Sequence, residues 1–326
     1  MVTPKAPKTY ELKTVESKDG TTIGYRQLGR GPGLVLIHGG MMAAHSFMKL
    51  ATALSDDFTV FIPDRRGRGS SGSFGRDYGL RKEVEDVAAI IDRTGAHCVF
   101  GLSSGAIIAL ESALQLPVIR KLALYEPPLS INGSNPAAWL PRYDSEIAAG
   151  NLPAAMVSVS KGVPVSPVFS RLPRLIGTLL MRLAIPAEAK QTKNDDVSLA
   201  ALIPTMHSDA QVVIDAADKL NRYRDVKSHG LLLGGSRSPH SLKIALDALA
   251  AMLPNVERVE IAWGGAHGRG QRRPTRTRRP RTPPLLHSHR GWRRPELIAA
   301  HRVIPDAATG FEITKQLYDK MPSCPV

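Results

Sequence analysis

The chain has 326 residues, 43% hydrophobic and 22% charged, which suffices for the core of a large α/β unit and excludes a disordered acidic chain. Ten arginines and no acidic residue lie between Gly268 and Pro295, so this one window supplies most of the net charge of +14 and the pI near 10.0. Outside it the balance is only +4, and whole-chain charge is no argument for nucleic-acid binding.

Met1-Val2-Thr3-Pro4-Lys5 has no apolar h-region, so no secretory signal is expected. Tyr10 to Val15 and Thr21 to Gln27 are β-prone runs joined by the turn signal Lys18-Asp19-Gly20. Leu34-Val35-Leu36-Ile37 is an unbroken apolar run, the pattern of a strand buried on both faces of a parallel sheet. Phe58 to Ile62 predicts a second such strand. Leu80, Val84, Val87, Ile90 and Ile91 fall at helical spacing. Cys98-Val99-Phe100 returns to strand, Ala106 to Leu116 to helix, and Leu122 to Tyr125 to strand. From Ser130 to about Asp225 the chain is rich in Ala, Leu and Pro, with helical stretches and no convincing strand, so we expect a helical cap over residues 130–225. Within it, Leu172 to Ile185 is broken by Arg174 and Arg182 and cannot span a bilayer unaided. Leu231-Leu232-Leu233 resumes the sheet, Ser241 to Met252 is helical, and Val256 to Trp263 predicts the last strand. The alternation implies right-handed crossovers and a sheet covered on both sides.

The expected organisation is thus a core in two parts, 1–129 and 226–267, separated by the cap. Residues 268–295 are Arg, Pro, Thr and His without period, a composition that cannot bury a core. It is the composition of GC-rich coding sequence read in a shifted frame, and we expect an unselected, disordered segment rather than a binding element. Residues 296–326 follow as a C-terminal helix and tail. Two cysteines, Cys98 and Cys324, make no disulfide framework, and the expected location is the cytoplasm, with no membrane span.

The sharpest chemical signal is Gly101-Leu102-Ser103-Ser104-Gly105, a G-x-S-x-G between a predicted strand and a predicted helix. A serine hydroxyl projecting from such a turn can attack a carbonyl, small flanking residues prevent collision, and the helix N-terminus favours developing negative charge. His38-Gly39-Gly40-Met41 ends an earlier strand, where glycines let backbone N–H groups approach a substrate. Gly40 or its neighbour Met41 is expected to donate one oxyanion hydrogen bond and Ser104 the other, with His38 bracing the loop. Asp64-Arg65-Arg66-Gly67-Arg68-Gly69-Ser70-Ser71 follows the next strand. Its arginines read as surface ion pairs rather than a phosphate site.

In these three motifs, in their order and spacing, the sequence resembles the α/β-hydrolase superfamily over roughly Tyr10 to His267. The resemblance implies a mostly parallel central sheet with helices on both faces and a helical cap insertion. It also implies that Ser103 is the nucleophile, that the Asp64 stretch is structural, and that the general base is a histidine after the last strand. His267, in Trp263-Gly264-Gly265-Ala266-His267-Gly268, occupies that place. His287, His289 and His301 come later, in or beyond the arginine-rich window. The acid departs from the family pattern: the loop after Leu233 reads Gly234-Gly235-Ser236-Arg237-Ser238-Pro239, without a carboxylate. Glu126, at the end of the neighbouring strand, is the alternative position known in some members; otherwise it caps a turn or pairs with an arginine.

A serine hydrolase acting on a small apolar ester, lactone or thioester is the expected function, through an acyl-enzyme and without a cofactor. The alternative is a non-catalytic or degraded ligand-binding member of the fold, suggested by the missing acid. An Asp nucleophile is excluded by Ser103, and no Cys/His metal spacing or phosphate-binding G-x-x-x-x-G-K-[ST] loop occurs. Nucleic acid is not an expected partner, because the arginine window lacks lysine and has little aromatic character.

Overall fold

In the computed structural model, which describes residues 9–163, 171–192 and 195–261, the apolar runs divide their side chains between two cores. Val35 and Ile37 join one, Leu34 and Leu36 the other. Phe61 opposes Val60 and Ile62, Val99 opposes Cys98 and Phe100, and Leu232 opposes Leu231 and Leu233 in the same way. A strand with apolar packing on both faces has no polar side to show, which is why each of these segments reads as a continuous run.

The strands are β1 (Glu11–Glu16), β2 (Thr22–Gly29), β3 (Gly33–Ile37), β4 (Thr59–Pro63), β5 (Cys98–Leu102), β6 (Lys121–Tyr125), β7 (His229–Gly235) and β8 (Val256–Ile261). They form one sheet in the order β1-β2-β4-β3-β5-β6-β7-β8. The first two pairings are antiparallel and the remaining five parallel. The predicted turn joins β1 to β2, with Gly20 at φ +82°.

One face is covered by α2 (Leu80–Thr94) and α3 (Ser104–Gln115). In α2 the five residues spaced for an apolar stripe are all buried, and Gly95 ends the helix in the left-handed region at φ +67°. The other face carries α1 (Met48–Leu54), whose Leu50, Ala51 and Leu54 pack with Phe47 and Phe100. The sequence pattern does not pick out α1, because seven residues are too few to display a helical period.

Between β6 and β7 the described chain is helical: α4 (Leu140–Ala148), α5 (Leu152–Gly162), α6 (Arg174–Ala189), the single turn α7 (Leu199–Leu202) and α8 (Met206–Asp215). Asn151 caps α5 by accepting from the Ala154 N–H, ahead of a proline in the first turn. Tyr143, Ala155, Val157, Met181, Ile185 and Ile203 form a third core of their own. Helix α8 behaves differently, since its Val212 and Val213 belong to the core shared with α2 and α3. Its Asp215 accepts from the Leu80 N–H at 2.8 Å and so caps α2. Helix α9 (His240–Met252) packs beside β7 and β8. Among the described residues no helix is long and apolar enough to cross a membrane.

Candidate active site

Ser103 stands between β5 and α3 with φ 56° and ψ −124°, a conformation that side-chain-bearing residues rarely adopt. The flanking glycines explain how the turn is reached. A Cβ at Gly101 would lie 2.6 Å from the Ala106 Cα, and one at Gly105 would lie 2.5 Å from the His38 carbonyl oxygen. Both obstacles are backbone, so neither position admits a side chain. Gly101, Leu102, Ser104 and Gly105 are buried, while Ser103 is partly exposed at the head of α3.

The loop His38–Met41 leaves β3, which pairs with β5 through Ile37 and Gly101. Its approach to the serine is close: a Cβ at Gly39 would sit 3.0 Å from the Ser103 Cβ, and one at Gly40 2.9 Å from the Met206 sulfur. Met41 is itself left-handed at φ 57°. Among the described residues, the Gly40, Met41 and Ser104 N–H groups have no backbone acceptor outside their own element. His38 is fully buried, with Nε2 accepting from the Arg65 N–H at 3.2 Å and Nδ1 donating to the Gly39 carbonyl at 3.0 Å. Burial, with Arg68 and Arg65 adding to it, pushes its pKa well below the ordinary histidine value. A neutral imidazole with both nitrogens engaged braces the loop.

The arginines after β4 overturn the expectation of surface ion pairs: Arg65 and Arg68 are 3% exposed and Arg66 is 0% exposed. Arg66 pairs with Asp86 and Asp19. Arg65 is held by Glu83 at 2.8 Å and by Asp209 at 2.7 Å. Arg68 pairs with the second Asp209 oxygen and reaches the Gly39 and Met42 carbonyls, both at 3.3 Å. The Ser104 hydroxyl donates to Asp209 at 2.7 Å. One buried carboxylate on α8 thus ties together the head of α3 and the loop after β4, and through Arg68 the loop after β3. Burial opposes the ionisation of Asp209, but Arg68, Arg65 and the Ser104 hydroxyl outweigh it and hold the pKa at about 2. Asp64 is structural in the same region, accepting from the Ala44 N–H at 2.8 Å and from the Ser70 N–H and hydroxyl.

Sequence reasoning passed over Asp209. The signal was present: Met206, Asp209, Ala210 and Val213 share one helical face, so the acid lies on an apolar stripe and needs cationic partners.

Glu126 follows β6 directly, with φ 50°. Its strand is bonded to both neighbours at this edge, the Ser103 N–H donating to the Tyr125 carbonyl at 2.9 Å and the Glu126 N–H to the Leu233 carbonyl at 3.1 Å. The Glu126 carboxylate reaches over the end of β7, accepting from the Gly235 N–H at 2.8 Å and from the Ser238 hydroxyl. It therefore occupies the loop in which the sequence has no acid of its own. Burial raises its pKa, against the opposing hydrogen bonds from Gly235 and Ser238.

Gly40, Met41, Ser103, Ser104 and Glu126 are gathered on the carboxyl edge of β3, β5 and β6. Three of the six described non-glycine residues with positive φ are Met41, Ser103 and Glu126. The other three are Asp77, Asn132 and Asp218, types whose short polar side chains tolerate this region. His267, the 268–295 window and the 296–326 tail lie outside the described residues. Among the described residues, no group of three or more His, Cys, Asp or Glu side chains could hold a metal ion.

The fold is that of the α/β-hydrolase class. The profile of the alpha/beta hydrolase family matches residues 34–279, and the chain belongs to that family. An alpha/beta hydrolase structure from Sphaerobacter thermophilus is 31% identical, with a TM-score of 0.63, covering 76% of this chain and 91% of that one. The magnesium-chelatase 30 kDa subunit of Rhodobacter capsulatus is 37% identical over 97 residues, 29% of this chain and 34% of its own length. The pimeloyl-[acyl-carrier protein] methyl ester esterase of Stenotrophomonas maltophilia is 38% identical over 96 residues, 29% of this chain and 36% of its own. The chain thus matches about a third of the length of these curated relatives.

Proposed function

We propose that the protein is a serine hydrolase that cleaves a small carboxylic ester, lactone or thioester through an acyl-enzyme. The observation that carries this reading is the strained Ser103 at the head of α3. Holding a non-glycine residue there costs roughly 1–3 kcal/mol, and such strain persists where its consequence is useful. In the proposed mechanism the Ser103 hydroxyl attacks the carbonyl carbon while His267 takes its proton. The N–H of Ser104 and that of Gly40 or Met41 stabilise the oxyanion, and His267 returns the proton to the leaving group. Water, activated by the same histidine, then releases the acid. Glu126 orients the imidazole and stabilises its charged form.

Reach is compatible with this role for His267. Strand β8 runs parallel to β5 and three strands away, about 14 Å at the usual spacing. The six residues from Ile261 to His267 extend up to about 20 Å, so the histidine can meet the serine edge. The helical region 130–225 is proposed as the cap that shapes the acyl pocket. The esterase named above has a substrate of the same broad class, which supports the ester reading.

The test is turnover of p-nitrophenyl acetate and butyrate by Ser103→Ala. Loss of at least about a thousandfold in kcat is expected. Wild-type-like rates in the variant would remove Ser103 from the mechanism.

A further inference from the structure

Helix α6 has two apolar faces. One buries Gly177, Met181 and Ile185 against α5 and its neighbours. The other points to solvent, with Leu175 86% exposed, Leu179 60%, Leu183 69% and Ile176 49%. Leu175, Leu179 and Leu183 recur every four residues and make a continuous stripe. The remaining exposed large apolar residues, Leu12, Val118 and Ile214, sit singly on other parts of the described chain. Scattered apolar residues are ordinary, but a contiguous stripe marks an interaction surface.

The exposed charge on α6 and at its two ends is of one sign. Arg171, Arg182 and Lys190 are exposed beside it. The single acid of α6, Glu188, is buried and accepts from the Leu199 N–H at 2.9 Å. Arg174 is engaged with Glu146 at 2.5 Å. On the helical wheel Arg182 borders the arc that holds the leucines and Lys190, the C-cap, falls within it, so both long cationic side chains can lift their charges out of an apolar layer.

We propose that this face of α6 docks on an anionic amphiphile surface, a bilayer leaflet containing acidic lipid. The leucines enter the boundary between headgroups and acyl chains, and Arg171, Arg182 and Lys190 meet the phosphates. A second copy of the chain fits the face less well, because a two-fold contact would bury Arg182 and Lys190 from both copies with no exposed carboxylate on α6 to receive them. The arginine-rich 268–295 window carries the same sign as the face, so charge complementarity does not select it as the occupant.

The experiment is co-sedimentation of the full-length protein with vesicles of phosphatidylcholine, alone or mixed with phosphatidylglycerol. Wild type, Leu179→Ser/Leu183→Ser and Arg182→Gln/Lys190→Gln are compared. The arginine window is common to all three and cancels in their ratios. The leucine variant should bind the mixed vesicles at least about tenfold more weakly, and the charge variant should lose about tenfold on mixed vesicles and little on neutral ones. Both should keep the wild-type circular dichroism and melting temperature, because the altered side chains are exposed. Equal binding by all three assigns vesicle affinity to the arginine window and overturns the proposal. So does a dimer that the leucine changes dissolve while wild type ignores vesicles, since the partner is then a second copy. Failure of wild type to bind either vesicle overturns it as well. None of these readouts depends on hydrolase activity.

Discussion

Glu126 and Asp209 are carboxylates whose surroundings drive them apart. Burial raises the pKa of Glu126, while two arginines hold Asp209 at about 2 despite its burial. The fold therefore makes the Glu126 carboxylate harder to ionise than it is in the unfolded chain, and makes that of Asp209 easier. Glu126→Gln preserves acceptors for Gly235 and Ser238 and removes the desolvation cost. Melting temperature should hold or rise while kcat for p-nitrophenyl butyrate falls by about 10²–10⁴. A clear drop in melting temperature together with activity would identify a turn cap rather than a triad acid. Asp209→Asn has the opposite profile, because it strands Arg65 and Arg68 in the interior. It should cost about 3–5 kcal/mol in urea unfolding. At this scale the sequence was half legible. The placement of Ser103 and Glu126 at strand ends was readable, whereas the pairing of Asp209 with Arg65 and Arg68 joins residues 141 and more positions apart, which no local pattern encodes.

The elements were legible where burial is complete and obscure where tertiary contact alone sustains them. Strands β3 to β7 read as apolar runs because each is packed on both faces, and α2 showed its stripe because its other side is wet. Helix α1 and the single turn α7 are too short for a period to emerge. Helix α8 looked like one more part of the cap. Its Val212 and Val213 nevertheless join the main core, and Asp209 and Asp215 fasten it to the loop after β4 and to α2. The crossing of α3 over the β3 loop rests on the missing side chain of Gly105. Gly105→Ala should push α3 off the His38 carbonyl and cost about 1–3 kcal/mol, read as a lowered denaturation midpoint. An unchanged midpoint would mean that the Ser103 turn tolerates displacement, and the strain argument for Ser103 would weaken with it.

For the molecule as a whole, the sheet order brings the ends of β3, β5, β6 and β7 side by side, so residues remote in sequence meet on one edge. The charge cluster behind that edge also sets the acid stability. The pKa of Asp209 lies below its ordinary value of 3.8, so its contribution is present above about pH 4 and is lost as pH falls towards 2. Wild type should lose ~2 kcal/mol across that window that Asp209→Asn does not lose, measured by denaturant unfolding at each pH. Parallel pH profiles for the two proteins would contradict the buried ion cluster. The central claim is that this edge carries a nucleophilic serine, and covalent labelling reads it without knowledge of the substrate. Incubation with a fluorophosphonate, followed by intact mass and peptide mapping, should add one phosphonyl group at Ser103 and none to Ser103→Ala. An unlabelled wild-type protein, or a label on another residue, would contradict it.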